Sequence, residues 1–180
     1  VNLDNNLTFN LSDLDDANGI QYSIDGGKNW INSTDSISNG ALSITIPAPD
    51  ANAGNFYSSG IQFKQVTPDD TSGEITTFTD TSSPNTPSIE LENNSVKVIF
   101  SESVGFYQYS TDGSTPDGTY YEIDSTEMYL SDISYGTYDS NAIKITHTDP
   151  YGNTSEATGN SSKITIEKEI IITTNGSNYT

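Results

Sequence analysis

Carboxylates are the chemistry this chain offers. Twenty-five of its 180 residues are Asp or Glu, against six Lys, a single His and no Cys, for a net charge of −19. Oxygen-only donors suit calcium, which takes about six to eight of them, whereas zinc and copper sites call for Cys or His. Three groupings are candidates. Asp13, Asp15 and Asp16 share a turn that ends in Asn18-Gly19; alternating Asp residues bring two or three carboxylates toward one point, though not at EF-hand spacing. The competing reading is a solvated turn. Asp69 and Asp70 lie in a second turn, Asp80 in the segment that joins the two halves of the chain, and Glu102 in an early turn of the second half. Converging where the halves meet, these four would repel unless a cation neutralised them; the alternative is that the neighbouring prolines alone set the angle. Asp149 and Asn153 form a third pair, expected at the far end of the second half.

Other side chains offer less. His147 stands near Asp149, but no Ser or Cys nucleophile context accompanies them, so the chain reads as non-enzymatic. His147 shares strand parity with Ile143 and Ile145, and Gln65 shares it with Ile61 and Phe63. Two polar residues in equivalent places predict a half-exposed strand end. Trp30, Tyr120, Tyr121 and Tyr135 could stack on sugar rings, although such residues more often cap a core.

The elements that must position these groups occur twice. Gln21-Tyr22-Ser23-Ile24-Asp25-Gly26 returns 87 residues later as Gln108-Tyr109-Ser110-Thr111-Asp112-Gly113. Leu3-Asp4-Asn5-Asn6 returns as Leu91-Glu92-Asn93-Asn94, and Ile61 to Glu74 aligns with Ile143 to Glu156. Repeated modules are more often pieces of an array that spans distance than catalytic units. The boundaries that follow are residues 1–82 for one repeat, 83–168 for the second, and 169–180 for a final strand or the start of another repeat. The chain begins and ends in mid-pattern, as a fragment of something longer would.

Leu7, Phe9 and Leu11 alternate with polar residues, as do Ile20, Tyr22 and Ile24, and Leu42, Ile44 and Ile46. That is the period of half-buried strands. Asp25-Gly26-Gly27 is a hairpin signal, and prolines 47 and 49 open a loop that runs to residue 60. Further strands are read at Ile61–Phe63, Ile75–Phe78, Ile89–Leu91, Val96–Phe100, Phe106–Ser110, Tyr120–Ile123, Met128–Leu130, Ala142–Thr148 and Lys163–Thr173. About seven short strands per copy, with turn signals between them and no amphipathic helix, argue an all-β chain. The expected architecture is two tandem immunoglobulin-like β-sandwich domains joined by the short Pro-containing linker Thr79–Pro87.

The charge also excludes partners. Without a basic footprint, nucleic acid and anionic membrane surfaces are poor partners. No signal peptide and no run of about 18 apolar residues is present, so no direct membrane insertion is expected. The absence of Cys points to a bacterial surface protein that folds after export rather than to a disulfide-bonded secreted domain.

Tyr22-Ser23-Ile24-Asp25-Gly26-Gly27-Lys28-Asn29-Trp30 resembles the Tyr-Ser-x-Asp-Gly-Gly-x-x-Trp segment of bacterial immunoglobulin-like repeats. Gly136-Thr137-Tyr138 followed by Asp149-Pro150-Tyr151-Gly152-Asn153-Thr154-Ser155 is similar to their closing segment, and Asp80-Thr81-Ser82-Ser83-Pro84 to the joint between such repeats. The first copy departs from the closing pattern at Thr67–Gly73, and the second lacks both the Trp and a following joint. The family implied is that of the tandem repeats of large RTX and biofilm-associated surface adhesins. The resemblance implies an extracellular, monomeric extender segment on a bacterial cell surface, contacting neighbouring repeats of its own chain and carrying calcium near the domain junctions. Any host-surface or glycan ligand would then be met by other domains. Tyr109-Ser110-Thr111-Asp112-Gly113-Ser114-Thr115-Pro116 also resembles the immunoglobulin-like domain that ends chitobiases, an accessory module. A glycan-binding or accessory module of a polysaccharide-active enzyme, and a surface-layer segment, are therefore the alternative readings.

Overall fold

The computed structural model describes residues 6–67 and 73–168. Those residues are all-β. Six strands precede residue 80: β1 (Leu7–Leu11), β2 (Gly19–Ser23), β3 (Ile31–Asn32), β4 (Leu42–Ile46), β5 (Ile61–Val66) and β6 (Ile75–Phe78). Nine follow it: β7 (Ser88–Glu92), β8 (Ser95–Ile99), β9 (Phe106–Ser110), β10 (Tyr121–Glu122), β11 (Glu127–Tyr129), β12 (Gly136–Tyr138), β13 (Lys144–Thr148), β14 (Thr158–Gly159) and β15 (Ile164–Ile166). Every described ladder is antiparallel and stays within one group.

In the first group, β1 pairs with β4, and the order β3-β2-β5-β6 makes a second sheet. β4 reads Leu-Ser-Ile-Thr-Ile and buries every second residue, as the two-residue period of a strand requires. Leu42, Ile44 and Ile46 meet Ile20, Ile61 and Phe63 of the other sheet in one apolar cluster, and Leu7, Phe9 and Leu11 pack against it. Phe9, Phe63 and Phe78 form a contiguous aromatic set with centroids 5.1–5.5 Å apart. The second group has a separate cluster built on Val96, Val98, Phe100, Ile123, Ile143, Ile145 and Ile164. Sheets β10-β9-β13-β14, β11-β8-β7 and β12-β15 surround it. In both groups, opposed sheets close over a shared apolar layer, consistent with a β-sandwich.

The repeat in sequence is a repeat in register. Tyr22 faces Phe63 across β2 and β5, and Tyr109 faces Ile145 across β9 and β13. Ile20 faces Gln65, and Tyr107 faces His147. The two aligned blocks carry different offsets, 87 and 82 residues, so the difference is taken up between them and not in the ladders.

His147 departs from expectation. It is fully buried, not half-exposed. Its Nε2 lies 3.0 Å from the Val104 carbonyl and its ring stands edge-on to Phe100. A carbonyl only accepts, so Nε2 carries the proton, and Nδ1 is buried without a partner. Gly105 makes this possible: a Cβ there would meet Nε2 at 2.9 Å and the Thr148 carbonyl at 2.5 Å. Gln65 does the same work in the first group, donating from Nε2 to the Asp15 carbonyl at 2.9 Å. At both positions a polar side chain at the strand end pins the loop that leads into the neighbouring strand. His147→Gln should therefore cost under about 1 kcal/mol, because the donor is kept, whereas His147→Ala should cost about 2–3 kcal/mol. Urea unfolding of the two variants checks this; equal losses would contradict the pinning role.

Candidate functional site at the joint

The segment between Ile46 and Ile61 reads as a plain loop, yet it holds a Phe-Tyr pair among small and polar residues. Pro47 ends β4. Asp50 then caps a single 3-10 turn, Ala51–Ala53, by accepting the Ala53 N–H at 3.1 Å, and Gly54 closes it in the left-handed region with φ 72°. The turn projects Asn52 and the chain beyond it projects Phe56. Tyr57 is buried beneath, with its hydroxyl donating to the Pro47 carbonyl.

These residues meet the second group of strands. Phe56 stands edge-on to Phe106, with centroids 6.0 Å apart, and to Tyr120, at 5.5 Å; Phe106 and Tyr120 are edge-on to each other at 6.4 Å. Each edge-to-face pair contributes about 0.5–1.5 kcal/mol beyond the area it covers. The Asn52 amide mimics a strand partner: its Nδ2 donates to the Tyr120 carbonyl at 3.1 Å, and its Oδ1 accepts the Tyr120 N–H at 2.8 Å. The Tyr57 N–H donates to the Pro150 carbonyl at 3.0 Å. Gly152, with φ 92°, lies flat against Phe56; a Cβ there would be 3.2 Å from the Phe56 Cβ. Tyr151 is half-buried against the first group's apolar cluster. Burial first, and then the charges of Asp80 and Asp149, hold its hydroxyl above the ordinary tyrosine range. In the connecting segment, Pro84 and Pro87 are buried.

The acidic candidates are placed as follows. Asp149 and Asn153 lie at this joint and not at the far end of the second group: the Asn153 Nδ2 donates to the Asp80 carbonyl at 3.0 Å. The Asp149 carboxylate faces three N–H donors. Oδ1 accepts from the backbones of Tyr151 and Asn153, both at 2.9 Å, and Oδ2 accepts from the Asn153 amide at 2.8 Å. Both oxygens of this carboxylate are thus engaged by N–H groups of its own turn. Asp80 Oδ1 accepts the Ser82 N–H at 2.8 Å. Glu102 is exposed in the bend before β9. Asp69 and Asp70 lie outside the described residues; β5 and β6 carry the flanking Thr67 and Gly73 to the end away from Gly60 and Phe78, about 20 Å along the strands.

The turn of Asp13, Asp15 and Asp16 is likewise wired to its own surroundings. Asp13 accepts the Ser12 hydroxyl, Asp15 Oδ1 the Ala17 N–H at 3.0 Å, and Asp16 Oδ1 the Gly40 N–H at 2.8 Å. Among the described residues, no three acidic or imidazole side chains converge as a metal site.

The hairpin motif of the first group repeats the device found at Asp149. The Asp25 Oδ1 accepts the Asn29 N–H at 2.9 Å and its Oδ2 the Asn29 amide at 2.6 Å, the same four-residue spacing as Asp149 and Asn153. The Ser23 hydroxyl donates to Asp25 and accepts the Gly27 N–H. The Asn29 bonds, backbone first, and then Ser23 hold the Asp25 carboxyl down at about 2, from an ordinary 3.8. Of the aromatic candidates, Trp30 is half-buried beneath the Lys64 ammonium, 4.2 Å from its ring. Tyr120 belongs to the joint. Tyr121 stacks on Tyr107 at 5.3 Å, and Tyr135 is 63% exposed, the most of any large hydrophobic among the described residues.

Two outcomes follow from this geometry. Phe56→Ala should lower stability by about 2 kcal/mol and split one calorimetric transition into two, as the groups lose their coupling; a single unshifted transition would refute the aromatic coupling. Asp25 has a depressed folded pKa, so its stabilisation is present above the unfolded value and lost as pH falls through about 2. Carboxyl NMR titration should place its midpoint near 2, and Asn29→Ala, which removes the amide bond but keeps the backbone one, should move that midpoint part of the way up toward 3.8. An unmoved midpoint would contradict the assigned cause.

No protein-family model and no curated protein is similar to this chain.

Proposed function

We propose that the chain is a structural extender of a large bacterial cell-surface adhesin: two immunoglobulin-like modules, at residues 1–82 and 83–168, in a tandem array that holds a distal binding domain away from the cell. The observation that carries this reading is the joint. Four ties cross it: the aromatic triad, the Asn52 amide pair, the Tyr57-to-Pro150 bond and the Asn153-to-Asp80 bond. A spacer must resist bending where its modules meet, and ties spread over a loop, a strand edge and a turn resist it in more than one direction. Among the described residues, no helix is long and apolar enough to cross a membrane.

In this reading the joint is stiffened by direct contacts, and the acidic loops are closed by their own N–H groups. The competing reading stiffens it with calcium. Thermal unfolding and small-angle scattering in EDTA, then in millimolar calcium, separate them. A native-state ligand at 100 times its dissociation constant adds about 2.7 kcal/mol, a shift of several degrees for domains of this size. The proposal expects neither a shift nor a change in maximum dimension. A calcium-specific rise with lengthening would establish the calcium-stiffened form, and a flexible pair in both buffers would refute the extender. The glycan-binding alternative draws on the stacked and partly exposed Tyr121; a glycan array decides it.

A further inference from the structure

Asn39 and Gly40 form the tip of a tight turn at the start of β4. Both have positive φ, 53° and 71°, the conformation of a type I′ turn, for which Asn-Gly is the favoured pair. Ser38 and Ala41 close it with reciprocal backbone bonds of 3.0 and 3.1 Å. Asn39 is exposed. The Gly40 peptide is held on both sides by the acidic turn: its N–H donates to Asp16 Oδ1 at 2.8 Å, and its carbonyl accepts the Leu14 N–H at 3.0 Å.

Asn-Gly is also the dipeptide most prone to losing its amide, because no side chain shields the glycine nitrogen. That nitrogen gives up its proton to solvent and attacks the asparagine Cγ. The new N–C bond forms as the C–NH2 bond breaks, ammonia leaves, and a five-membered imide remains. Water then opens either imide carbonyl, giving aspartate or isoaspartate.

We propose that Asn39 is a deamidation site held in check by Asp16. The Asp16 carboxylate engages the very N–H whose proton must leave, and its negative charge opposes formation of an anionic nitrogen beside it. It also fixes the Gly40 peptide plane, so the nitrogen cannot swing toward Cγ. Reaction would add a carboxylate at the turn tip or, as isoaspartate, insert a methylene into the turn. Aspartate keeps an Asp-Gly pair that the type I′ turn accepts, whereas the extra methylene of isoaspartate breaks the Ser38–Ala41 closure and the anchor on Leu14 at the point where β4 begins its pairing with β1. Asp16 thus acts on durability, as a positioning residue.

The test incubates the intact chain at mildly alkaline pH and maps peptides by mass spectrometry, which separates Asn39 from Asn18 and Asn175, the other asparagines that precede glycine. Isoaspartate is read by enzymatic methylation. Asp16→Ala should raise the Asn39 rate about tenfold, as expected for loss of a charge-assisted hydrogen bond. Asp16→Asn, which keeps an Oδ1 acceptor, should stay nearer the wild-type rate. An Asp16→Ala rate equal to wild type overturns the proposal. Should that variant unfold, Asp16→Ser, which removes the charge and withdraws the acceptor, takes its place: a faster loss at Asn39 than in the wild type supports the check, and an equal rate overturns it.

Discussion

The contact between the two groups of strands centres on one phenylalanine ring. Phe56 projects from a loop with no ladder of its own and is received by Phe106, Tyr120 and the bare backbone of Gly152. What presents it is local. Pro47 stops the strand, Asp50 caps the turn, Gly54 reverses the chain, and the Tyr57 hydroxyl ties the loop back to Pro47. What receives it is also local, since the Asp149 carboxylate holds the turn that places Gly152. Because that turn also sends Asn153 to the Asp80 carbonyl, one carboxylate organises both the aromatic seat and the tie to the connecting segment.

A net charge of −19 on 180 residues must be accommodated, since self-repulsion weakens a compact state. Basic side chains contribute little. The described ion pairs join Lys97 to Glu92 and Glu127, and Lys163 to Asp139, and the last pair is exposed on both sides. Instead, carboxylates are spread over the loops, each facing backbone or amide N–H groups: Asp15 with Ala17, Asp16 with Gly40, Asp25 with Asn29, Asp80 with Ser82, Asp112 with Ser114 and Asp149 with Asn153. Aspartate here is turn chemistry. A short acceptor closes a loop that has no ladder to satisfy its N–H groups.

This explains which parts of the structure were legible in the sequence. The long strands were, because their two-residue alternation survives in Leu7–Leu11, Leu42–Ile46 and Val96–Phe100. The repeat was also legible, and it carries the pairing register with it. Short strands such as Ile31–Asn32 and Thr158–Gly159 were not, since two residues show no period. The joint escaped because its contacts join residues far apart in the chain, although a Phe-Tyr pair in a polar loop was a usable sign. Asp149 and Asn153 were singled out as oxygen donors, but the amide nitrogen of Asn153 is what organises the pair. The burial of His147 was hidden because it depends on Gly105, which lies on another strand's approach.

The direct-contact account of the joint is tested most simply by measuring the distance between the two groups. The chain has no cysteine, so Ser36→Cys and Ser162→Cys, both exposed and on opposite groups, accept spin labels without competition. Pulsed electron resonance in EDTA should give one narrow distance distribution, which broadens when Phe56→Ala is added. A broad distribution in the parent protein, or a narrow one that survives the loss of Phe56, would contradict the account.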